Sequence, residues 1–369
     1  MRKAAFLSSD DVWRYGHGLD HPLKPARLKR THFLLDELGA FEAANVFLVN
    51  PRQATIDELT MFHTAQYVEF VRAATTSQPA SELGRYGFGP GDNPVFEGMF
   101  ESESRKVGSA LQAAEMLVKD EFDVIFSYSG GLHHGRPDFA SGFCVFNDAA
   151  VAISWLVKMG CRVAYVDIDV HHGDGVQNAF YDSDRVLTIS IHQDGRTLFP
   201  GTGSVEEIGA GRGKGYCLNL PLPPYTDDEL YLAAFKEVVP QAAARFEADI
   251  VVTQLGVDTH ALDPLASIML STRGQEELFK LLDQMSPRWL ALGGGGYSLD
   301  IVPRSWALAF GVMAGLEFPD DLPTNYRSQY GGQRLHDHQS FHLDSGTKPA
   351  IQQQVRAVVR QAKQLHNLD

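Results

Sequence analysis

A three-layer α/β/α domain built on a mostly parallel sheet is the fold class this sequence predicts, on three observations. Short apolar, β-branched runs alternate with stretches of helical period along most of its 369 residues. The runs are nearly continuous in hydrophobicity, which is how strands covered on both faces read. Polar and glycine-rich clusters follow the carboxyl ends of several runs, where open parallel sheets place ligand sites.

The strand-like runs are Ala4–Leu7, Val46–Val49, Val124–Ser127, Val163–Val170, Val186–Ile191, Ile250–Leu255 and Trp289–Leu292. Helical periodicity marks Arg27–Leu38, Glu103–Lys119, Asp148–Met159, Asp227–Arg245 and Arg273–Met285 between them. Strand alternating with helix builds crossover units, hence parallel pairing. Thr76–Asn93 is rich in Gly, Pro and Ser and reads as a mobile surface loop inside the domain, because the pattern resumes after it without a change in composition. Residues 325–345 read as irregular chain. Beyond them, Ile351, Val355, Val358, Ala362 and Leu365 recur at helical spacing, which predicts a terminal helix docked on the body or on a partner subunit. The division expected is one domain over residues 1–325, then an irregular segment and helix over 326–369.

Bulk properties narrow the function classes. The chain carries 32 Lys and Arg against 46 Asp and Glu, a net charge of −14, which argues against nucleic acid as the partner and suits a cationic substrate. No apolar run is long enough to span a membrane, and the first residues lack the apolar stretch of an export signal. Cys144, Cys161 and Cys217 are too few and too scattered for a disulfide framework or a cysteine-rich zinc site. A reducing, cytoplasmic setting is expected.

Asp167, Asp169 and His171 alternate at the end of a predicted strand, so they share one face. Buried carboxylates repel unless a cation lies between them. Asp169 and His171, joined by Asp258 from the end of another strand, make three ligands and leave a catalytic metal one open position. Two-metal hydrolases of the arginase type use Asp-x-His-x-Asp and Asp-x-Asp; here Gly173 and His260 stand where the additional carboxylates belong, which favours one metal. The adjacent His133 and His134 supply a base and an acid if carboxylates fix their tautomers, and Asp167 and Asp174 are free to do so. Tyr297, after four glycines, reads as a donor to a developing oxyanion. The glycines of 209–215 follow no predicted strand and read as a plain turn.

GGLHH, SGFCVFND, DIDVHHGDGVQNAF, FPGTGS, QLGVDTH and LGGGGY occur in that order. Together with HPLKPARLKRTHFLL they resemble the zinc-dependent histone deacetylase superfamily, in its class I-type branch with the bacterial acetoin-utilisation proteins. The resemblance spans about residues 17–316. It implies a single arginase–deacetylase domain with a roughly eight-stranded sheet, and a hydrolase that removes acetyl or short acyl groups from the ε-amine of lysine in proteins. It implies zinc, with Fe2+ or Co2+ as alternatives, on Asp169, His171 and Asp258. It implies an acid–base pair of His133 with Asp167 and His134 with Asp174, His134 being the base, and Tyr297 on the scissile carbonyl. For the substrate it implies Asp92 at the rim, the Gly142 carbonyl on the amide N–H, Phe143 and Phe199 around the lysine methylenes, and Leu265 beside them. Arg27 would line an internal channel. Structural K+ would sit at Asp167, Asp169, His171, Ser190 and Ile191, and at Phe180, Ser183, Val186 and Tyr216.

Leu132 departs from relatives that carry an aromatic residue there. His260, His336, His338 and His342 read as surface histidines and Cys144 as a packing residue. A small acylated amine such as an acetylpolyamine is the alternative substrate, an arginase-like ureohydrolase the distant alternative activity, and an acyl-lysine reader without catalysis the non-enzymatic one.

Overall fold

The computed structural model describes residues 2–74, 78–339 and 341–369. Eight strands form one sheet: β1 (Ala4–Leu7), β2 (Val46–Val49), β3 (Val124–Ser127), β4 (Val163–Asp167), β5 (Val186–Gln193), β6 (Cys217–Leu222), β7 (Ile250–Gln254) and β8 (Trp289–Leu292). Their order is β2-β1-β3-β8-β7-β4-β5-β6, and every pairing is parallel. The helices are α1 (Ala26–Glu37), α2 (Ile56–Leu59), α3 (Ala65–Ala73), α4 (Ala80–Arg85), α5 (Met99–Val118) and α6 (Asp148–Lys158). They continue with α7 (Asp174–Phe180), α8 (Asp228–Phe246), α9 (Thr272–Met285), α10 (Ile301–Ala314), α11 (Thr324–Tyr330) and α12 (Lys348–His366).

Both sheet faces are covered, as the unbroken apolar strands require. Phe6, Phe126, Val166 and Trp289 join one core with α1, α8, α9, α10 and α12. Their strand neighbours Leu7, Ile125, Tyr165 and Leu290 join the opposite core with α5 and α6. This is the alternation of the pleat, with both faces apolar.

Several boundaries differ from expectation. β4 stops at Asp167 instead of Val170, because polar side chains take over from the ladder: Asp169 N–H donates to Asp167 Oδ1 and Val170 N–H to Asp258 Oδ1. β6 was absent from the expected strands; Asn219 and Pro221 interrupt its apolar run, and proline is tolerated because β6 is an edge strand. α10 was also absent, since it is buried on almost every side and shows no amphipathic period. The stretch 76–93 contains α4, so it is not wholly a loop; Thr76 and Ser77 lie outside the described residues. α11 occupies part of the segment expected to be irregular. α12 forms as expected, burying Ile351, Val355, Val359 and Ala362 against the body, where it packs on α8 and β6. Val359, not Val358, is on its buried face.

The register sets the site. Ser127 pairs with Leu292, Leu292 with Gln254, and Gln254 with Asp167. The chain therefore leaves four adjacent strands, β3, β8, β7 and β4, along one edge. Among the described residues no helix is long and apolar enough to cross a membrane.

Candidate active site

The loop after β4 and the loop after β7 bring Asp169, His171 and Asp258 together. One ligand atom from each lies within 4.8 Å of the others, and all three residues are buried. His171 Nδ1 is 3.0 Å from Asp169 Oδ1 and 3.2 Å from Asp258 Oδ2. The remaining oxygens are committed to the protein: Asp169 Oδ2 accepts from Gln254 Nε2 at 2.6 Å and Gly295 N–H at 2.8 Å, and Asp258 Oδ1 from Val170 N–H at 2.9 Å. Asp258 Oδ2 is buried with no hydrogen bond of good geometry.

Electrostatically the cluster is in conflict. Burial, with Asp169 close by, pushes Asp258 up to about 7. Burial opposes charge on His171, yet Asp169 and Asp258 outweigh it and raise His171 to about 10. Burial would also raise Asp169, but His133 and His171 hold it well below the carboxylate range. Two carboxylates and an imidazole aimed at one point, one oxygen orphaned, are resolved by a divalent cation between them. The donor set fits a metal that keeps an open position.

The histidine pair follows β3. His133 Nδ1 donates to Asp167 Oδ2 and His134 Nδ1 to Asp174 Oδ1, each at 2.7 Å. Their Nε2 atoms are 3.0 Å apart, and His133 Nε2 is 3.9 Å from Asp169 Oδ1. Burial opposes charging of either ring. In His133 the Asp167 and Asp169 carboxylates reverse this and raise it to about 9. In His134 burial is joined by repulsion from His133 and brings it to about 3. The surroundings therefore favour charge on His133 over charge on His134.

The motif SGFCVFND supports these loops from beneath. Asp148 accepts from Gly131 N–H and Leu132 N–H, both at 2.8 Å, and Asn147 Nδ2 donates to the His133 and Gly135 carbonyls. Asp148, Gln254 and Asp263 went unread in the sequence. Asp148 and Asp263 accept from backbone N–H groups, while Gln254 donates to the Gly131 carbonyl and Asp169 Oδ2 and accepts from Gly256 N–H, and no spacing rule marks such residues.

Tyr297 follows β8 and lines a small cavity with His133, His134, Phe143 and Asp169. Its N–H donates to Asp263 Oδ2 at 2.8 Å. Burial, reinforced by Asp258 and Asp169, keeps the phenol protonated, so it can donate. Arg27 is buried behind it, donating to the Gly294 carbonyl at 2.6 Å and the Gly296 carbonyl at 3.3 Å.

Of the expected substrate residues, Gly142 and Phe143 line this cavity, whereas Asp92, Phe199 and Leu265 are not among its lining residues. Gly142 has φ +51°, and a Cβ there would meet the His134 ring and Phe199. Phe143 sits at φ +70°, uncommon for a bulky residue, with its ring 5.7 Å edge-on to Tyr297. Phe199 is 44% exposed and edge-on to His134 at 5.0 Å. Asp92 is exposed, and its carbonyl accepts from His21 Nε2 at 3.2 Å; His21 in turn packs on Phe143. Leu265 is half-buried, its N–H donating to Asp263 Oδ1. Ser190 pairs in register with Asp167, next to Ile191, while Phe180, Ser183, Val186 and Tyr216 lie around the start of β5 and the approach to β6.

Not every polar cluster converges. His192, at the end of β5, bonds to Ser190 Oγ and the Gly203 carbonyl, and it does not line the cavity. His260 is not on the surface: it is 1% exposed and bonded to Asp337. His336 is half-buried between Asp320 and Glu276, whereas His338 and His342 are exposed. Cys144 is buried as expected, its thiol donating to the Gly142 carbonyl.

A cation site with one open position, a carboxylate-braced histidine pair and a phenol donor define a hydrolytic enzyme. Residues 21–313 match the histone deacetylase domain, and the chain belongs to the histone deacetylase family. It is 40% identical over 334 residues to the acetoin utilization protein AcuC of Bacillus subtilis, covering 88% of this chain and 86% of that one. It is 38% identical to human histone deacetylase 1, over 90% of this chain and 68% of that one. The crystal structure of a histone deacetylase homolog from Aquifex aeolicus superposes with a TM-score of 0.88 at 32% identity, over 98% of this chain and 100% of that one. A homolog complexed with SAHA gives 0.86 at 32% identity, over 98% and 99%.

Proposed function

We propose that this enzyme uses one zinc ion to remove acetyl or short acyl groups from the ε-amine of lysine in proteins. The observation that carries the reading is the histidine pair, each Nδ1 bonded to its own carboxylate at 2.7 Å, beside Asp169, His171 and Asp258. A hydrolase needs that arrangement; an acyl-lysine reader does not. The SAHA complex of a homolog supports a site that takes a small molecule. Gly173 and His260 offer no second pair of carboxylates, which counts against a two-metal ureohydrolase.

Held by Asp169, His171 and Asp258, zinc would supply Lewis acidity, polarising the acyl carbonyl and acidifying a water. His134, neutral and oriented by Asp174, accepts the proton of the attacking water at Nε2. His133, kept charged by Asp167, stabilises the negative charge that builds up beside it. The Tyr297 hydroxyl donates to the carbonyl oxygen as it becomes an oxyanion. The C–N bond breaks as the histidine pair returns a proton to the amine, giving acetate and free lysine. Phe143 and Phe199 offer apolar surface to the four-carbon stem. The Gly142 carbonyl accepts the amide N–H, Asp92 grips peptide N–H groups at the rim, and Leu265 packs beside them. The same reading puts structural K+ at Asp167, Asp169, His171, Ser190 and Ile191, and at Phe180, Ser183, Val186 and Tyr216. A cytoplasmic home suits the three unpaired cysteines.

The test is release of the free carboxylic acid, acetate or the longer acid, from acetyl-lysine peptides, longer acyl-lysine peptides and acetylpolyamines, compared under zinc. The reading predicts the highest kcat/KM on acetyl-lysine peptides. Preference for an acetylpolyamine would replace the substrate, and absence of product from every amide would defeat the enzymatic reading.

A further inference from the structure

The chain beyond α11 returns to the catalytic loops and inserts one carboxylate among them. The Asp337 side chain is only 8% accessible. Its Oδ2 accepts from His260 Nε2 and from Thr272 N–H, both at 2.8 Å, and its Oδ1 from Arg304 Nη1 at 3.0 Å. Its own N–H donates to Thr272 Oγ1 at 2.8 Å. The partners belong to three elements. His260 sits in the loop after β7, two residues from Asp258; Thr272 opens α9; Arg304 is in the first turn of α10, the helix the chain enters just after Tyr297.

Each partner passes the constraint on. His260 Nδ1 accepts from Leu262 N–H at 3.1 Å, so the imidazole is held at both nitrogens. The turn it shapes is closed by His260 N–H on the Val257 carbonyl and Asp263 N–H on the His260 carbonyl. That turn presents Asp263, whose Oδ2 accepts from Tyr297 N–H at 2.8 Å. Arg304 also grips the Leu335 carbonyl at 3.1 Å and Asp300 Oδ2 at 2.9 Å, fixing the entry to α10. Tyr297 is therefore tied from both sides, through Asp263 before it and α10 after it, and both ties lead to Asp337. Gln275 adds one brace between the same elements, from the Val257 carbonyl to Ser305.

We propose that Asp337 is a positioning residue for the deacetylation reaction, holding the 257–263 turn and the start of α10 so that the Tyr297 hydroxyl meets the substrate carbonyl. This rests on the role given to Tyr297 above. A misplacement of about 1 Å at a donor that acts in the transition state can cost about a hundredfold in rate. Because the hydroxyl acts mainly there, the loss falls on kcat and spares KM.

The experiment is steady-state kinetics of zinc-loaded Asp337→Ala and Asp337→Asn, each alone and combined with Tyr297→Phe, with metal content and Tm measured alongside. A trifluoroacetyl-lysine peptide serves as the substrate, so that slow variants stay measurable. D337A is expected to lower kcat about ten- to hundredfold with KM within about threefold and zinc retained. On the Y297F background the same change should lower kcat less than about twofold, because the group it positions is gone. His338→Ala, an exposed neighbour, should leave kcat unchanged. If D337A does not fold, D337N, which keeps the side chain's size and one acceptor, should show a smaller kcat loss with the same dependence on Tyr297. A Tm drop with unchanged kcat, or an equal kcat loss with and without the Tyr297 hydroxyl, overturns the proposal. A wild-type enzyme that releases no acid from acyl-lysine peptides defeats the functional reading itself, and is seen first.

Discussion

Removing the Tyr297 hydroxyl separates chemistry from folding in this site. Among the described residues the hydroxyl has no hydrogen-bond partner; the residue is anchored by its backbone N–H on Asp263 and by its ring against Phe143. Tyr297→Phe keeps both anchors and strands no buried donor or acceptor, so stability should change by less than about 0.5 kcal/mol. The rate should change far more. Loss of one preorganised donor to an oxyanion costs about 2.7–4 kcal/mol, or about a hundred- to a thousandfold in kcat. KM should stay within about threefold, because the ground-state carbonyl gains little from the bond. The assay is acetate release from an acetyl-lysine peptide under zinc, with metal content and Tm measured on the same preparation. A kcat within threefold of wild type would exclude the Tyr297 hydroxyl as the oxyanion donor, and so would a loss of activity accompanied by loss of metal.

Two further predictions concern the scaffold. Asp148→Ala strands the N–H groups of Gly131 and Leu132 in a buried loop, so at about 1–3 kcal/mol each the domain should lose about 2–6 kcal/mol, read as a lower urea midpoint; an unchanged midpoint would contradict the supporting role. His63 is pushed down to about 4 by burial, Nδ1 bonding the Arg136 carbonyl and Nε2 accepting from Asn147 N–H. Its folded value is below the value of about 6.5 in the unfolded chain, so the unfolded chain binds the proton more readily and stability is lost as pH falls from about 6.5 towards 4. The penalty at pH 5 is about 2 kcal/mol relative to neutral pH, and His63→Gln, which keeps a donor and an acceptor, should lose less over that interval; equal acid sensitivity of the two proteins would count against it.

The parts of this molecule that can be read from sequence are those whose physics is periodic or local. β3, β7 and β8 are unbroken apolar runs because both faces are buried, and their polar ends mark the site edge. Asp169 and His171 are legible from their Asp-x-His spacing at the end of an apolar run, although the chain has left β4 at Asp167 and a bend, not strand alternation, brings them together. α10 is hidden because a helix buried all round has no polar face to reveal its period. β6 is hidden because an edge strand tolerates Asn219 and Pro221. His260 was misread because its partner, Asp337, comes from a distant segment whose return to the loops no local pattern announces. Asp263 and Asp148 share that fate: a carboxylate that satisfies backbone N–H groups is indistinguishable in sequence from one in solvent.

The central proposal is a single metal held by Asp169, His171 and Asp258. Titrating metal-free protein with Zn2+, while following acetate release from an acetyl-lysine peptide, tests this directly. Activity should rise linearly and stop at one equivalent per chain. A rise that continues to two equivalents, or full activity with no metal added, would contradict it.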